Sequence, residues 1–363
     1  MTAPSRPAAL AAELPPLDFG TLTAFLSSTS AWLSCALPRY LPEGEPANFL
    51  YEPARDYPQR GGKRFRPALL LLCNALAGGD PRQAVPSAVA LELFQNFALV
   101  HDDIEDGSLV RRGKPALHRL HGIPLATNAG DLLFGLVYEA LLDNAETVGP
   151  ARAVQVMREF AEVFRRTFEG QALDIGWIRA NYIPAREEFL TMIRLKTGWY
   201  SGRGPCRIGA GLAGAAQDVR DALDEYGEQL GVGFQVRDDL LNLTENSADN
   251  APAAGGGGYG KERGGDIAEG KRTLIVIEML ERLPAAEGQR VRDILTLPAE
   301  NTKAADIEWV IEAAGRCGAL DAARRQCRAH GEAALRALAR LPDSPQRKLL
   351  ADLAGYLTQQ RST

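Results

Sequence analysis

The chain is poor in the features that mark secreted, zinc-binding and nucleic-acid-binding proteins. It has five cysteines in 363 residues, and no pair of them has the CxxC spacing of a zinc or thioredoxin-like site. Cysteines that are few and scattered favour reduced thiols and a cytoplasmic location. The sequence has no run of lysine and arginine, and its net charge is −5, so nucleic acid is not an expected partner.

Long apolar runs are missing as well. No stretch approaches the roughly 20 apolar residues that a membrane span needs, so no spanning helix is expected. Residues 1–20 include Glu13 and Asp18, lack the continuous apolar segment of a signal peptide, and are predicted to form a disordered arm. Residues 21–363 are then expected to form one helical domain.

Apolar residues at helical spacing are what the sequence has in abundance. Glycine and proline separate these segments, and alternating runs of β-branched residues are absent, so few strands are expected. The prediction is an all-α, single-domain bundle of roughly ten or more helices around a central cavity. The periodic segments are residues 68–76, 89–100, 131–144, 152–168, 187–200, 219–243 and 275–282.

Residues 244–260 are rich in glycine, alanine and asparagine. A segment of this composition cannot bury enough apolar surface to become ordered, which predicts a mobile loop. It lies between two segments that carry candidate site residues. A lid over the site and a tolerated surface insertion are both open interpretations.

An acidic run at the end of an apolar segment is the strongest candidate site. Asp102 and Asp106 are four residues apart and therefore share a helical face, with Asp103 beside them. Oxygen ligands at this density suit Mg²⁺, above all when the ion also holds substrate phosphates. In isolation, such a run is more often an acidic, solvated helix end than a metal site.

A second acidic run repeats this arrangement far downstream. Asp238 and Asn242 share a face at the end of another apolar segment, with Asp239 beside them. Two such clusters can face each other across a bundle cavity and clamp a diphosphate through bridging Mg²⁺. Asn242 is the weaker candidate ligand, because an amide offers one neutral oxygen.

Cationic residues accompany both acidic runs. Each one alone is typical of a protein surface, but together with two acidic motifs they favour a phosphate-binding site. These cations are Lys63, Arg64, Arg66, Arg111, Arg112, Lys196, Lys261 and Lys271.

Seven blocks of sequence, in this order and spacing, resemble the trans-polyprenyl diphosphate synthase family over about residues 61–274. The blocks are GGKRFRP, DDIEDGSLVRRGKPALH, GIPLATN, GQALDI, LKTGWY, GFQVRDDLLNL and GDIAEGKRTL. The block that begins with the first acidic run is especially similar to geranylgeranyl diphosphate synthases. The resemblance implies the isoprenoid synthase fold, magnesium-dependent condensation of isopentenyl diphosphate with an allylic diphosphate, and usually a homodimer.

The resemblance also implies metal ligands. It implies three magnesium ions per site. Asp102 and Asp106 of the first run would bind magnesium, with Asp103 next to them. Asp238 of the second run would hold one of the ions, with Asp239 and Asn242 further from the metal. The GQALDI block, with Gln171 and Asp174, would support the same cavity.

Substrate-binding roles follow from the same resemblance. The allylic diphosphate would be held by Arg111, Lys196 and Lys261. The isopentenyl diphosphate would be held by Lys63, Arg66 and Arg112, with Gln95 close by. Thr197 and Gln235 would line the place where positive charge develops, so that Lys196, Thr197 and Gln235 are the candidate catalytic residues. Lys271 is a further substrate-binding candidate.

The helix before Asp102 would form a wall of the product tunnel. In this family, bulk at the fourth and fifth positions before the first aspartate limits elongation, and these positions are Ala98 and Phe97. At the rise of an α-helix, Phe97 lies roughly 7–8 Å from the metal site, and Phe94 lies a further turn away. The expected product is the C20 chain, with C15 and longer chains as alternatives. Packing of both phenylalanines against neighbouring helices, with no role in chain length, is the alternative interpretation.

Other classes of protein stay open at this stage. A terpene cyclase would share the fold and the first acidic run, but it would not need the GGKRFRP cluster. A non-catalytic synthase subunit often loses acidic motifs, whereas both are present here. A phosphohydrolase built on the pair His101 and Asp102 would need further metal-binding residues, and the sequence offers none that can be assigned. A plain helical scaffold would not explain seven matched blocks.

Overall fold

A computed structural model describes residues 5–244 and 263–358 of the chain. Within these ranges the protein is almost entirely helical, which confirms the all-α prediction. The helices are α1 (Arg6–Glu13), α2 (Leu22–Ala36), α3 (Glu52–Gln59), α4 (Phe65–Leu76), α5 (Val85–Glu105), α6 (Leu117–His121), α7 (Ile123–Leu142), α8 (Asn144–Thr147), α9 (Pro150–Arg179), α10 (Arg186–Ile193), α11 (Gly204–Ala213), α12 (Gln217–Thr244), α13 (Gly265–Ala268), α14 (Leu274–Arg282), α15 (Ala285–Leu295), α16 (Ala304–Arg316), α17 (Ala319–Leu338) and α18 (Pro345–Thr358).

Short irregular elements connect these helices. An antiparallel hairpin, β1 (Val110–Arg111) and β2 (Lys114–Pro115), follows α5 and pairs Arg111 with Lys114. Three 3₁₀ turns and two π-helical segments complete the secondary structure of the described ranges. They are Leu37–Arg39, Pro81–Ala84 and Ala299–Asn301 for the 3₁₀ turns, and Ala47–Tyr51 and Arg194–Arg203 for the π-helical segments.

The N-terminal segment differs from the disordered arm expected for residues 1–20. Its described part, from residue 5, contains α1, and the side chains of Leu10 and Leu14 are buried in the main apolar core. The Trp32 indole also donates a hydrogen bond to the carbonyl of Pro15, at 2.7 Å. Burial of apolar side chains orders this segment. The composition of residues 1–20 did not indicate that these side chains pack into the core. Most of the loop predicted for residues 244–260 lies outside the described residues.

Two long helices, α5 and α12, form the centre of the molecule. The first half of α5 is buried on all sides, which explains its uninterrupted apolar sequence. α5 packs along α7, while α12 packs against α17 and the π-helical segment Arg194–Arg203. The acidic runs predicted from the sequence therefore stand at the C-terminal ends of two core helices.

Glycines allow the π-helical segment to lie unusually close to its neighbours. A Cβ atom at Gly202 would stand 2.0 Å from the carbonyl oxygen of Gly227 in α12. A Cβ atom at Gly170 of α9 would stand 2.2 Å from the backbone nitrogen of Lys196. Any larger residue would push these elements apart. The backbone that carries Lys196 and Thr197 is thereby fixed between α9 and α12.

One helical stretch, Ile123–Thr147, is long and apolar enough to cross a membrane by length and composition alone. Of its most apolar window, 44% is buried inside the protein. The core helix of a soluble protein passes the same test, and α7, which makes up most of this stretch, packs along α5.

Substitution of Gly202 by alanine tests the close packing of the π-helical segment. We expect Gly202→Ala to lower the free energy of unfolding by about 1–3 kcal/mol, because the new methyl group overlaps a backbone carbonyl. Gly211→Ala is the matched control, since nothing lies within 4 Å of a Cβ atom built there. It should leave stability unchanged or raise it by about 0.5–1 kcal/mol. Equal urea-unfolding midpoints for the two variants would contradict the close approach.

Candidate active site

A cavity of about 540 Å³ lies among α5, α9, α12 and the π-helical segment. Charged residues line it near the C-terminal ends of α5 and α12, and apolar side chains line it nearer the middle of α5. Its acidic lining residues are Glu92, Asp102, Glu105, Asp174, Asp238, Asp239 and Asp266. Its basic lining residues are Arg60, Lys63, Arg64, Arg66, Arg111, Arg112, Lys196, Lys271 and Arg272. The predicted cations thus converge on one cavity, except for Lys261, which lies outside the described residues.

Asp102 and Asp106 stand one turn apart at the end of α5, as predicted. Asp102 lines the cavity, with its carboxylate 3.5 Å from the Lys196 ammonium and 3.4 Å from the Arg111 guanidinium. Asp106 lies beside the cavity and accepts a hydrogen bond from Lys271 at 2.7 Å. Burial raises the pKa of the Asp106 carboxyl to about 6, and the negative charges of Asp102 and Glu269 add to this, while Lys271 opposes it.

Asp103 takes a different position from its neighbours and does not line the cavity. It is completely buried, accepts a hydrogen bond from the Tyr57 hydroxyl at 2.5 Å, and binds Nε of Arg111 at 2.9 Å. Successive residues of a helix point in directions about 100° apart, so Asp103 turns into the protein where Asp102 faces the cavity. The structure therefore places this predicted metal ligand as a support for Arg111.

Lys196 of the π-helical segment bridges two carboxylates. Its Nζ lies 2.6 Å from Asp174 and 3.5 Å from Asp102. Burial alone would lower the pKa of Lys196, but the carboxylates of Asp174 and Asp102 raise it above the usual lysine value. Gln171, from the same block as Asp174, donates to Glu105 at 2.6 Å. The ammonium group of Lys196 is thus held in its charged form beside the first acidic run.

A chain of hydrogen bonds links the π-helical segment to the second acidic run. The Thr197 hydroxyl donates to Oε1 of Gln235 at 2.6 Å, and Nε2 of Gln235 donates to Asp239 at 2.8 Å. Asp238 and Asp239 both line the cavity. Burial raises the pKa of Asp239 well above its usual range, and the nearby carboxylates of Asp266 and Asp238 raise it further.

Asn242 is fully buried beneath the second acidic run and does not line the cavity. Its Oδ1 accepts a hydrogen bond from the backbone N–H of Asp266 at 3.1 Å. Its backbone carbonyl accepts another from Gly264 at 2.8 Å. Asn242 therefore fixes the segment that brings Asp266 to the cavity. Sequence reasoning missed Asp266, although it stands inside the matched block GDIAEGKRTL.

The GGKRFRP segment places two of its cations against aromatic rings. Nζ of Lys63 lies 5.6 Å from the centre of the Tyr356 ring. Arg66 donates to the hydroxyl groups of Ser201 at 2.9 Å and Tyr200 at 3.0 Å, with its guanidinium 4.5 Å from the Tyr200 ring. Ring contacts of this kind hold a cation while leaving N–H groups available.

Arg112, Gln95 and Glu92 complete this cationic part of the cavity. Arg112 adopts a left-handed backbone, with φ of 53°, and donates to the carbonyl of Tyr57 at 2.9 Å. Burial lowers the pKa of Arg112, and the carboxylate of Glu92 partly opposes this. Gln95 and Glu92 are buried on α5 and line the cavity. Glu92 could not be identified from the sequence, because a lone acidic residue in an apolar helix forms no motif.

Aromatic rings close the apolar part of the cavity. Phe97 and Ala98 line it. Phe94 is fully buried behind Phe97 and does not line the cavity; its ring packs 4.6 Å from that of Phe164. Phe168 of α9, which was not predicted, lines the cavity as well.

The donor set of the cavity fits Mg²⁺. Within residues 5–244 and 263–358, no three histidine, cysteine or acidic side chains are grouped closely enough to hold a metal by themselves. Mg²⁺ is commonly bound through one or two carboxylates together with substrate phosphates, so ligands supplied separately by α5 and α12 suit it. Burial, together with neighbouring carboxylates, raises the pKa of Asp106 and of Asp239, and a bound cation would stabilise the charged form of both groups.

Two comparisons of sequence agree with this geometry. The sequence model of the polyprenyl synthetase family matches residues 47–314. A geranylgeranyl pyrophosphate synthase from Geoglobus acetivorans is 38% identical over 319 residues, which cover 88% of this chain and 93% of that protein. A geranylfarnesyl diphosphate synthase from Natronomonas pharaonis is 33% identical over 341 residues, which cover 89% of this chain and 93% of that protein.

A solved structure extends the agreement to the fold. It is a geranylgeranyl pyrophosphate synthase from Corynebacterium glutamicum, complexed with isoprenyl diphosphate and magnesium. It matches this chain with a TM-score of 0.81 and 26% identity, over 94% of this chain and 99% of that one. The cavity residues described above from Lys63 to Lys271 lie within the matched family region. The chain therefore belongs to the polyprenyl synthetase family of prenyltransferases.

Proposed function

We propose that the chain condenses isopentenyl diphosphate with an allylic diphosphate, head to tail, to give geranylgeranyl diphosphate, the C20 product. The main support is that two acidic helix ends and two groups of cations line a single cavity, which is also lined by apolar side chains from α5, α9 and α12. Such a cavity can bind two diphosphates at one side and a growing hydrocarbon chain at the other. The names of the relatives support the same reaction class, with C20 and C25 products represented among them.

The ends of α5 and α12 would hold the metal ions. Asp102 and Asp106 are the proposed ligands on α5, and Asp238 is the proposed ligand on α12, with Asp239 and Asp266 next to it. Three Mg²⁺ ions per site are proposed, as in the family that the sequence resembles. When bound there, magnesium would neutralise the charge that develops on the departing diphosphate.

The cations divide into two groups that suit two diphosphates. Arg111 and Lys196 contact Asp102 and would bind the allylic diphosphate, together with Lys261 and Lys271. Lys63, Arg66 and Arg112, with Gln95 beside them, would bind isopentenyl diphosphate. N–H groups held in place before the substrate arrives stabilise the leaving group without having to reorganise during the reaction.

Carbon–oxygen cleavage in the allylic diphosphate gives an allyl cation and free diphosphate. The double bond of isopentenyl diphosphate then attacks the cation, and the departed diphosphate removes a proton from the new chain. Gln235 and Thr197 would place oxygen dipoles near the developing positive charge, and their mutual hydrogen bond fixes the orientation of the amide. The aromatic lining excludes water, which would otherwise capture the cation.

The aromatic side chains around Phe97 would set the length of the product. The Phe97 ring packs 4.9 Å from that of Phe134 and 6.0 Å from that of Phe168, so the end of the cavity is built by three helices. Phe94 supports Phe97 from behind. A floor at this depth favours C20, with C15 or a longer chain as the alternatives.

We also propose a cytoplasmic homodimer. Tyr138, Leu142, Val154 and Phe168 of α7 and α9 are each more than two-fifths exposed, and exposed apolar surface of this kind marks interaction sites. All five cysteines lie in the described ranges and carry free thiols, as expected in a reducing compartment.

A product assay tests the reaction. Purified protein, Mg²⁺ and labelled isopentenyl diphosphate are combined with dimethylallyl, geranyl or farnesyl diphosphate, and the dephosphorylated alcohols are resolved by length. A C20 alcohol that requires Mg²⁺ is expected. A C15 or C25 end product would support the proposed reaction but would mean that the apolar part of the cavity ends at a different depth. No elongation with any primer would favour a non-catalytic subunit, and a cyclic hydrocarbon would favour a cyclase.

Removal of the Asp102 carboxylate tests the metal site. We expect Asp102→Ala to lower turnover by about three orders of magnitude or more, because the ion that binds the leaving group loses a ligand. The free energy of unfolding should change by less than about 1 kcal/mol, since the loss of one carboxylate also relieves repulsion with Asp106. Asp221→Ala removes an exposed acid of α12 as a control. Full activity of Asp102→Ala at saturating Mg²⁺ would refute the assignment.

Removal of the Phe97 ring tests whether this side chain ends the apolar part of the cavity and thereby limits the product length. Phe97→Ala should shift the main product from C20 to C25 or longer, because the space that it opens continues the apolar part of the cavity. Chromatography of the dephosphorylated products measures the shift. Phe19→Ala removes the same ring from the N-terminal segment and should leave the product unchanged. An unaltered product distribution for Phe97→Ala would show that another residue stops the chain.

A further inference from the structure

The hydroxyl of Tyr57, on α3, has no part in the roles described so far. The side chain is 1% exposed. The hydroxyl donates a hydrogen bond to Oδ2 of Asp103 at 2.5 Å and accepts one from the backbone N–H of Leu117 at 3.0 Å. A phenol that both donates and accepts in a buried place has a fixed orientation. Tyr57 therefore joins α3, the acidic end of α5 and the start of α6 at one point.

Asp103, which is held by Tyr57, also binds Arg111. Nε of Arg111 lies 2.9 Å from one oxygen of Asp103 and 3.1 Å from the other, and its Nη2 also contacts Asp103. The same Nη2 lies 3.4 Å from Asp102. Among the described residues, Nη1 of Arg111 makes no hydrogen bond, and Arg111 lines the cavity. Tyr57 and Arg111 thus share one buried carboxylate, and the bonds to it decide how the guanidinium faces the cavity.

The same turn of α3 fixes the hairpin that carries Arg111 and Arg112. Arg60 donates to the carbonyl of Arg111 at 2.8 Å and to that of Pro115 at 2.9 Å, while its guanidinium lies 4.6 Å from the centre of the Tyr57 ring. Arg112 donates to the backbone carbonyl of Tyr57. Its left-handed backbone is unfavourable for a residue with a side chain and persists only where its surroundings hold it.

We propose that the Tyr57 hydroxyl is a positioning group for diphosphate binding, which holds Asp103 so that Arg111 presents its free N–H groups to the allylic diphosphate. This inference rests on the proposed function, in which Arg111 binds that diphosphate. Without the hydroxyl, Asp103 has the guanidinium as its remaining side-chain partner, and the N–H of Leu117 loses its acceptor. Arg111 can then settle more fully onto the carboxylates and away from the substrate.

Tyr57→Phe removes the hydroxyl and keeps the ring that contacts Arg60. Tyr40→Phe is a matched control, because Tyr40 is equally buried and its hydroxyl donates to Asp143 at 2.8 Å, away from the cavity. Both variants should lower the unfolding midpoint by similar amounts. Tyr57→Phe alone should raise KM for the allylic diphosphate about tenfold, with a smaller rise for isopentenyl diphosphate, because the backbone contact to Arg112 is kept.

Binding of inorganic pyrophosphate in the presence of Mg²⁺, measured by calorimetry, gives a readout that needs no turnover. It should weaken about tenfold in Tyr57→Phe and stay unchanged in Tyr40→Phe. In an Arg111→Ala background, Tyr57→Phe should have no further effect, because the hydroxyl acts through that arginine. Asp103→Asn removes the negative charge of the carboxylate that joins the Tyr57 hydroxyl to Arg111, and it should also weaken pyrophosphate binding.

Several outcomes separate this inference from the proposed function. A folded Tyr57→Phe protein with wild-type KM and pyrophosphate affinity would overturn the positioning role, and so would a fall in kcat with both KM values unchanged. If Tyr57→Phe does not fold, a wild-type pyrophosphate affinity of Asp103→Asn would overturn the proposal, because the hydroxyl acts through that carboxylate. If the wild-type protein binds pyrophosphate but makes no prenyl product, the proposed function fails, while the calorimetric comparison still decides the role of Tyr57.

Discussion

The ion pair between Lys271 and Asp106 joins two segments that are 165 residues apart in the chain. Lys196 makes a similar link between Asp174 and Asp102. Buried carboxylates that stand close together are costly unless cations compensate them, so the fold must bring these lysines to the end of α5 and, for Lys196, to Asp174 of α9. These carboxylates in turn hold the ammonium groups of Lys196 and Lys271 in their charged form, because they raise the pKa of both lysines.

Close helix packing fixes the backbone that carries Lys196 and Thr197. Gly170 and Gly202 let the π-helical segment lie against α9 and α12 with almost no space between the backbones. Lys196 and Thr197 therefore start from a fixed backbone, which limits how far their polar groups can move. In the proposed function, the aromatic rings beneath Asp102 would exclude water and end the space available to the product.

The sequence predicted those parts of the site that depend on local spacing. Asp102 and Asp238 lie near the C-terminal ends of two helices and line one cavity, as helical periodicity and the family resemblance indicated. Asp103 and Asn242 could not be placed in this way, because their partners, Tyr57 and the backbone of Asp266, are distant in the chain. The same reason applies to Phe94, whose position behind Phe97 depends on rings from α7 and α9.

A crystal structure of the protein with pyrophosphate and Mn²⁺ in place of Mg²⁺ would show where the metal ions bind, because anomalous scattering locates them. We expect ions bound by Asp102 and Asp106 and a further ion bound by Asp238, with pyrophosphate oxygens bridging them and Arg111 and Lys196 in contact with the anion. Pyrophosphate bound without metal, or ions bound away from both acidic helix ends, would contradict this expectation.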